Sequence, residues 1–319
     1  MHRPYASVVK QKTKGNPSMK IAITGGTGFI GKHLARDLVA RGHEVVVISR
    51  GLYSRDSGLP FPKRDIKFVK ASVTNADELT KAVSGCDAIV DCAGTSTETR
   101  AQSFEKLHVD GASATVEAAK RAGIKKLVLV SYLHVRPNVR SGYHVTKWQG
   151  ENIVRESGLD YVILKAGLVY GAGDHLLNNV GGLLKKLPFF ALVGFKPRTV
   201  RLIAVQDLVD VIRAALTDAR LNRQTVAVVG PEEIPFSEAV RRIATALGKP
   251  SLPIIPFPVI FHRTLAFFSS FMPKPLIAGA QVQMLADGIS EALPDSQPLP
   301  ADLAPKTIFT QEEIKKGLP

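Results

Sequence analysis

The sequence predicts an α/β protein, a doubly wound parallel sheet with a smaller C-terminal lobe, and three observations carry that prediction. From residue 20 onward, short β-branched runs alternate with helix-length segments. The runs are continuously apolar instead of alternating, as strands buried on both faces must be. A glycine-rich turn lies between the first run and the first helical segment, where a βαβ unit passes from strand to helix.

The strands expected in order are "KIAIT" (20–24), "EVVVIS" (44–49), "IKFVKA" (66–71), "AIVDCA" (88–93), "KLVLVS" (126–131) and "YVILKA" (161–166). Between them, 31–41 places Leu34 and Leu38 on one helical face, and 110–122 is an alanine-rich helix. After residue 170 the rhythm breaks. "DLVDVIRAAL" (207–216) returns a helix to the sheet, and "SEAVRRIATAL" (237–247) supplies a helix of the second lobe. The expected division is therefore 1–18 as a disordered or upstream extension and 19–230 as a nucleotide-binding domain, with parts of the substrate lobe inserted from about residue 174. Residues 231–319 form a C-terminal substrate or partner lobe.

The chain has 319 residues, enough for one large domain and a smaller one. Its formal net charge is +14, and residues 1–18 contribute Arg3, Lys10, Lys12 and Lys14 with no acid. Such an excess suits anionic ligands, an acidic partner or an anionic surface. No basic motif interleaved with aromatics occurs, so nucleic acid is not an expected partner. Two cysteines, Cys86 and Cys92, and no CxxC argue for a reducing compartment and against a cysteine metal site. Residues 1–18 lack the apolar core of a signal peptide. The expected location is cytoplasmic, with membrane association as the variant.

That variant rests on Leu252–Ala280. Prolines 253, 256, 258, 273 and 275 and the charges Arg263 and Lys274 interrupt it, whereas a spanning helix needs about 20 mostly apolar residues. Phe261, Leu265, Phe268 and Met272 share one helical face, with Ile260, Phe267 and Phe271 on others. The tract reads either as a helix buried against the second lobe or as an exposed surface for a protein, a lipid-like substrate or a membrane.

"IAITGGTGFIGKHL" carries the strongest chemistry. Gly26, Gly28 and Gly31 satisfy G-x-G-x-x-G between a strand and a helix, where glycine permits a tight turn and close approach of a pyrophosphate to the helix N-terminus. The same letters nearly form a P-loop, but His33 stands where a Ser or Thr should hold magnesium. At the end of the second strand an acid would hold a ribose 2′-hydroxyl; here Ser49-Arg50 offers a guanidinium suited to a 2′-phosphate. NADP(H) is thus expected ahead of NAD(H).

With Thr24, Gly25, Gly28 and Gly31 forming T-G-x-x-G-x-x-G, "DCAG" at 91–94, "LVLVS" at 127–131 and Tyr143-x-x-x-Lys147, the chain resembles the extended and atypical short-chain dehydrogenase/reductases. "KAGLVYGAGD" (165–174) and "VRLIAVQDLVDVI" (200–212) resemble downstream segments of that family. The C-terminal order is most similar to the branch containing the nucleotide-binding accessory subunit of respiratory complex I. The resemblance implies a Rossmann-type fold in which Thr24, Gly25, Gly26, Gly28, Phe29, Ile30 and Gly31 hold the cofactor together with Arg50, Cys92, Ala93, Gly94 and Lys147. It further implies that Tyr143 is the general acid/base toward a carbonyl or alcohol of a small-molecule substrate, that Lys147 favours its phenolate, and that Ser131 orients the substrate oxygen. The activity so implied is dehydrogenase, reductase or sugar-nucleotide epimerase chemistry; the other reading is a non-catalytic NADP(H)-binding assembly or sensor protein.

Four positions depart from the family's pattern. Ser131-Tyr132 replaces two serines, His108 an asparagine, Ala166 a proline, and Ala71-Ser72 a Gly-Asp pair. His144 and His134 flank the expected site, but they and His175 are read as packing or surface residues before substrate contacts. Trp148 and Phe189-Phe190 are read as cleft wall or core.

Overall fold

The computed structural model describes residues 18–51, 66–99, 102–139, 141–196, 198–269, 282 and 295–318. Residues 1–17 of the expected extension and 270–280 of the apolar tract lie outside them.

The first half alternates strand and helix: β1 (Lys20–Thr24), α1 (Phe29–Ala40), β2 (Glu44–Ser49), β3 (Ile66–Lys70), α2 (Ala76–Val83) and β4 (Ala88–Asp91). A π-helical turn, Lys106–Asp110, then leads into α3 (Gly111–Arg121), followed by β5 (Lys126–Tyr132), α4 (Gly142–Arg155) and β6 (Asp160–Ala166). Six strands were expected here and six form. The fourth is shorter than its apolar letters suggest, because the Asp91 carboxylate accepts the Ala93 N–H at 2.9 Å and turns the chain out of the sheet. The segment expected as one helix from 110 begins earlier, through the π turn.

Beyond Ala166 come β7 (Leu168–Tyr170), α5 (His175–Lys186), β8 (Phe190–Val193), β9 (Thr199–Ala204), α6 (Val205–Thr217), β10 (Gln224–Val228), β11 (Glu233–Pro235), α7 (Phe236–Ala246), β12 (Ile254–Phe257) and α8 (Val259–Ser269). The main sheet is parallel throughout, in the order β10-β6-β5-β4-β1-β2-β3, and a two-residue strand β13 (Gln297–Pro298) pairs with β10 at its edge. Three strands, β11-β9-β7, and the parallel pair β12-β8 form two small sheets.

Alternate residues of each central strand face opposite layers. Ile21, Ile23, Val45 and Val47 pack under α1 and α6, and Ala22, Val46, Ile48 and Ile89 pack under α2 and α3. Burial on both faces explains the unbroken apolar runs. A third cluster joins Tyr132 and Tyr143 to Phe190, Val240 and Phe309, so helix α4 is packed against the later part of the chain. After that lobe the chain returns. Phe309 meets Tyr170 edge-on at 4.7 Å, and Ile314 of the last helix, Gln311–Gly317, is fully buried.

Candidate functional site

All the residues singled out above as binding or catalytic lie at the carboxyl ends of β1, β2, β4 and β5 or on the helices α1 and α4, the edge at which open α/β sheets bind ligands. The glycine loop is shaped by contact. Gly25 has φ 64°, and a Cβ there would lie 2.8 Å from the Ala93 nitrogen. A Cβ on Gly31 would lie 2.6 Å from the Gly25 carbonyl oxygen, and one on Gly26 would lie 2.9 Å from Val47 Cγ1. The Gly28 N–H closes the turn onto the Gly25 carbonyl at 2.8 Å. Gly28 caps α1 without a side-chain acceptor, and the first turn of α1 carries no acid. The helix therefore presents N–H groups and a positive dipole end to an anion. These features fit a dinucleotide pyrophosphate.

Phe29 and Ile30 open α1. Phe29 meets His33 edge-on at 5.4 Å, and Ile30 packs on the core beneath the sheet. His33 Nε2 pairs with the Ala172 carbonyl at 2.9 Å. At the end of β2, Thr27 Oγ1 donates to Ser49 Oγ at 3.0 Å, and the exposed Arg50 guanidinium donates to the Gln102 side chain.

The exit of β4 is polar and buried. Thr24 Oγ1 donates to Asp91 Oδ1 at 2.6 Å, and Cys92, Ala93 and Gly94 follow as the wall facing the glycine loop. Burial pushes the Asp91 carboxyl up, opposed by the hydrogen bonds from Thr24 and Ala93 and by Lys147. Lys147 reaches Gly94, where a Cβ would sit 3.7 Å from its Nζ. Desolvation pulls that amine down, while Asp91, Glu151 and Cys92 push it up.

Tyr143 and Lys147 lie one turn apart on α4, above Ser131 of β5. The Tyr143 ring is caged edge-on by Phe104 at 5.6 Å, His108 at 5.4 Å and Tyr132 at 6.0 Å. Burial, and then the charge of Glu151, hold its phenol above the usual tyrosine value. Ser131 donates its one proton to Glu151 Oε1 at 2.5 Å. In this arrangement the serine oxygen accepts a further hydrogen bond and does not donate one.

Glu151 lies one turn beyond Lys147 and is completely buried. Its other oxygen accepts from Arg155 at 2.6 Å and lies 3.5 Å from Lys165 Nζ. Lys165, equally buried, donates to the Val135 carbonyl at 3.1 Å and pairs with Asp295. Burial raises the Glu151 carboxyl, against the lowering effects of Lys165, Ser131 and Arg155.

His108, where the family pattern has asparagine, sits on the π turn, and π turns recur at functional sites. Its Nδ1 pairs with Thr146 Oγ1 at 3.0 Å. Burial first and Lys147 second push its pKa down to about 3, so the ring is neutral at ordinary pH. A cavity of ≈ 10 Å³ opens between His108, Asp91, Ser131, Lys147 and Gly150, room for about one water. Gly150 permits this proximity: a Cβ there would be 2.4 Å from the His108 carbonyl oxygen.

The remaining histidines and aromatics divide. His144 Nδ1 pairs with Ser141 Oγ at 2.8 Å, and His134 meets Tyr132 edge-on. Phe190 and Trp148 join the apolar cluster of Tyr143, and Phe189 stacks on Phe257 at 6.2 Å. The side chain of His175 lies outside the described residues. Asp91, Glu151 and Lys165 were not singled out from the sequence. A signal for two of them existed: a lysine inside the apolar strand "YVILKA", and a glutamate on the Tyr143–Lys147 face of α4.

Residues 25–176 match the family model described as NAD(P)H-binding. An uncharacterised protein of Mycobacterium tuberculosis is 29% identical over 240 residues, which cover 74% of this chain but only 24% of that protein. The ceramide reductase of Caulobacter vibrioides is 29% identical over 242 residues, covering 75% of this chain and 74% of the reductase. Mouse mitochondrial NADH dehydrogenase [ubiquinone] 1 alpha subcomplex subunit 9 is 25% identical over 312 residues, covering 95% and 81%. The crystal structure of dTDP-glucose 4,6-dehydratase from Bacillus anthracis with NAD superposes with a TM-score of 0.69 at 18% identity, covering 93% of this chain and 94% of that one. At that identity the likeness is one of fold.

Proposed function

We propose, from the premise that this chain is an NAD(P)-binding protein of the extended short-chain dehydrogenase/reductase type, that it is an NADP(H)-dependent oxidoreductase acting on a carbonyl or alcohol. The observation that carries the reading is the placing of Tyr143 and Lys147 on the buried face of α4, beside the wall Cys92–Gly94 that closes the glycine loop. The nicotinamide, when bound, supplies or accepts the hydride. The protein's part is proton transfer at the Tyr143 oxygen, with the Lys147 ammonium lowering the cost of the phenolate. The raised phenol calls for that help, because a tyrosine must be brought down from about 10 to work near neutrality. Ser131, its proton held by Glu151, accepts a hydrogen bond from an alcohol or from Tyr143.

Arg50 is the residue proposed to choose NADP(H), its guanidinium at the end of β2 matching a 2′-phosphate. The likeness to a ceramide reductase supports a substrate of lipid character. Calorimetric titration with NADPH and NADH in parallel tests the cofactor. NADPH should bind more tightly, and Arg50→Glu should reverse the preference by tenfold or more, given about 1.5–3 kcal/mol for hydrogen bonds to charged groups. Oxidation of NADPH against aldehydes and ketones, including the keto form of a ceramide, tests the chemistry, and Tyr143→Phe should abolish it. Equal binding of the two cofactors refutes the role of Arg50.

The second reading, a bound cofactor without turnover, is favoured by the commitment of Ser131 to Glu151 and by the similarity to the mitochondrial subunit. It predicts that NADPH raises the unfolding temperature of wild type and Tyr143→Phe alike, with no acceptor consumed by either.

A further inference from the structure

Of the nine large apolar side chains exposed among the described residues, all but Ile308 lie between Leu187 and Phe268. Most belong to α8. The stripe it turns toward β8 is Val259, His262 and Ala266: His262 Nε2 bonds the Ala191 carbonyl at 3.2 Å, and Val259 and Ala266 share an apolar cluster with Val193 and the fully buried Val282. The larger apolar residues point away, with Ile260 at 68% exposure, Phe267 at 61% and Phe268 at 64%, and Phe261 and Leu265 exposed beside them. A soluble helix buries its large apolar face and shows its polar one. This helix buries only His262, Ala266 and, in part, Val259, and leaves its larger apolar side chains exposed beside Arg263 and Thr264.

The charge around it is of one sign. No Asp or Glu occurs in residues 175–206 or in 239–286. These two stretches meet where β8 pairs with β12, Ile254 opposite Phe190 through Phe257 opposite Val193. Lys185, Lys186, Lys196, Arg198 and Arg263 are exposed on them. A second copy of the chain docked by this face would set cation against cation. A groove in a protein partner would take one apolar stripe, whereas Ile260, Phe261, Leu265, Phe267 and Phe268 spread over more than one side of the helix. A fluid apolar layer beneath anionic headgroups suits both features.

We propose that α8 inserts its aromatic side into the interface of an anionic lipid bilayer, with the surrounding lysines and arginines on the headgroups. The inference does not depend on the nucleotide site, and its test is run without nucleotide, so either reading can fail alone. The full-length protein is floated with vesicles of phosphatidylcholine and with vesicles that also contain phosphatidylglycerol. Binding should require phosphatidylglycerol and weaken as salt rises. Phe267→Ser with Phe268→Ser should lower partitioning by at least about tenfold. Arg263→Gln should lower it about fivefold, from about 1 kcal/mol per basic residue at an anionic surface. Ile308→Ser, an exposed apolar residue off the patch, should change nothing. Unchanged melting curves would show that the variants keep their fold, and the salt dependence of the wild type is a measurement that needs no variant. Absence of binding, equal binding to neutral vesicles, or self-association that the double variant abolishes would each overturn the proposal.

Discussion

Replacing Glu151 by alanine isolates the least visible part of the site. The side chain is 0% exposed and links Ser131, Arg155 and Lys165. Its removal leaves the Lys165 ammonium, also 0% exposed, with Asp295 and the Val135 carbonyl as its partners. Removing one member of a buried pair costs about 3–5 kcal/mol, and the retained Asp295 places this case at the low end, near 3. For a domain of this size 1 kcal/mol corresponds to roughly 2–4 °C, so Glu151→Ala should melt about 6–12 °C lower. Charge, and not packing alone, is the cause invoked. The double variant Glu151→Leu with Lys165→Met should therefore recover most of the loss, since replacing a whole buried pair by apolar residues is close to neutral. Thermal and guanidinium denaturation of wild type, Glu151→Leu, Lys165→Met and the double variant measure the coupling. A loss below about 2 °C for Glu151→Ala, or strictly additive effects in the cycle, would refute the reasoning.

Gly31→Ala should weaken dinucleotide binding by tenfold or more in calorimetry and lower stability by about 1–3 kcal/mol, the range for overpacking, because its Cβ would lie 2.6 Å from the Gly25 carbonyl oxygen; unchanged affinity would contradict the loop geometry. Asp174, the N-cap of α5, accepts the Leu177 N–H at 2.6 Å, yet burial pushes its carboxyl up to about 6 against the opposing backbone hydrogen bonds. The folded state thus binds the proton more tightly than the unfolded chain, whose Asp titrates near 3.9. This contribution favours folding below about pH 4 and is lost as pH rises through about 6. Denaturant midpoints of wild type should fall across that window relative to Asp174→Asn, which keeps the cap acceptor without the charge; parallel curves would show the reasoning wrong.

The doubly wound sheet and the cofactor loop were legible because they are local in the chain. Apart from the edge strand β3, the strand runs from Lys20 to Ala166 are buried on both faces, so their composition alone declares them. The glycines from Gly25 to Gly31 act on one another and on the next strand, and their spacing is their function. The face shared by Tyr143 and Lys147 follows from helical geometry. What those side chains do there was decided by contacts between distant parts of the chain. Ser131 meets Glu151 across 20 residues, and Lys165 meets Asp295 across 130. No periodicity encodes such pairs, because each depends on which strand lies under which helix. The same holds for α8. Its letters allowed a buried helix or an exposed one, and packing on β8 through Val259, His262 and Ala266 turned its aromatic residues outward. Sequence by itself determined the elements up to Ala166 and the phosphate cradle, since short-range sterics and burial set them. Tertiary structure alone decided which charges are buried together and which apolar face is left to solvent, since both are properties of surfaces that form only when distant segments meet.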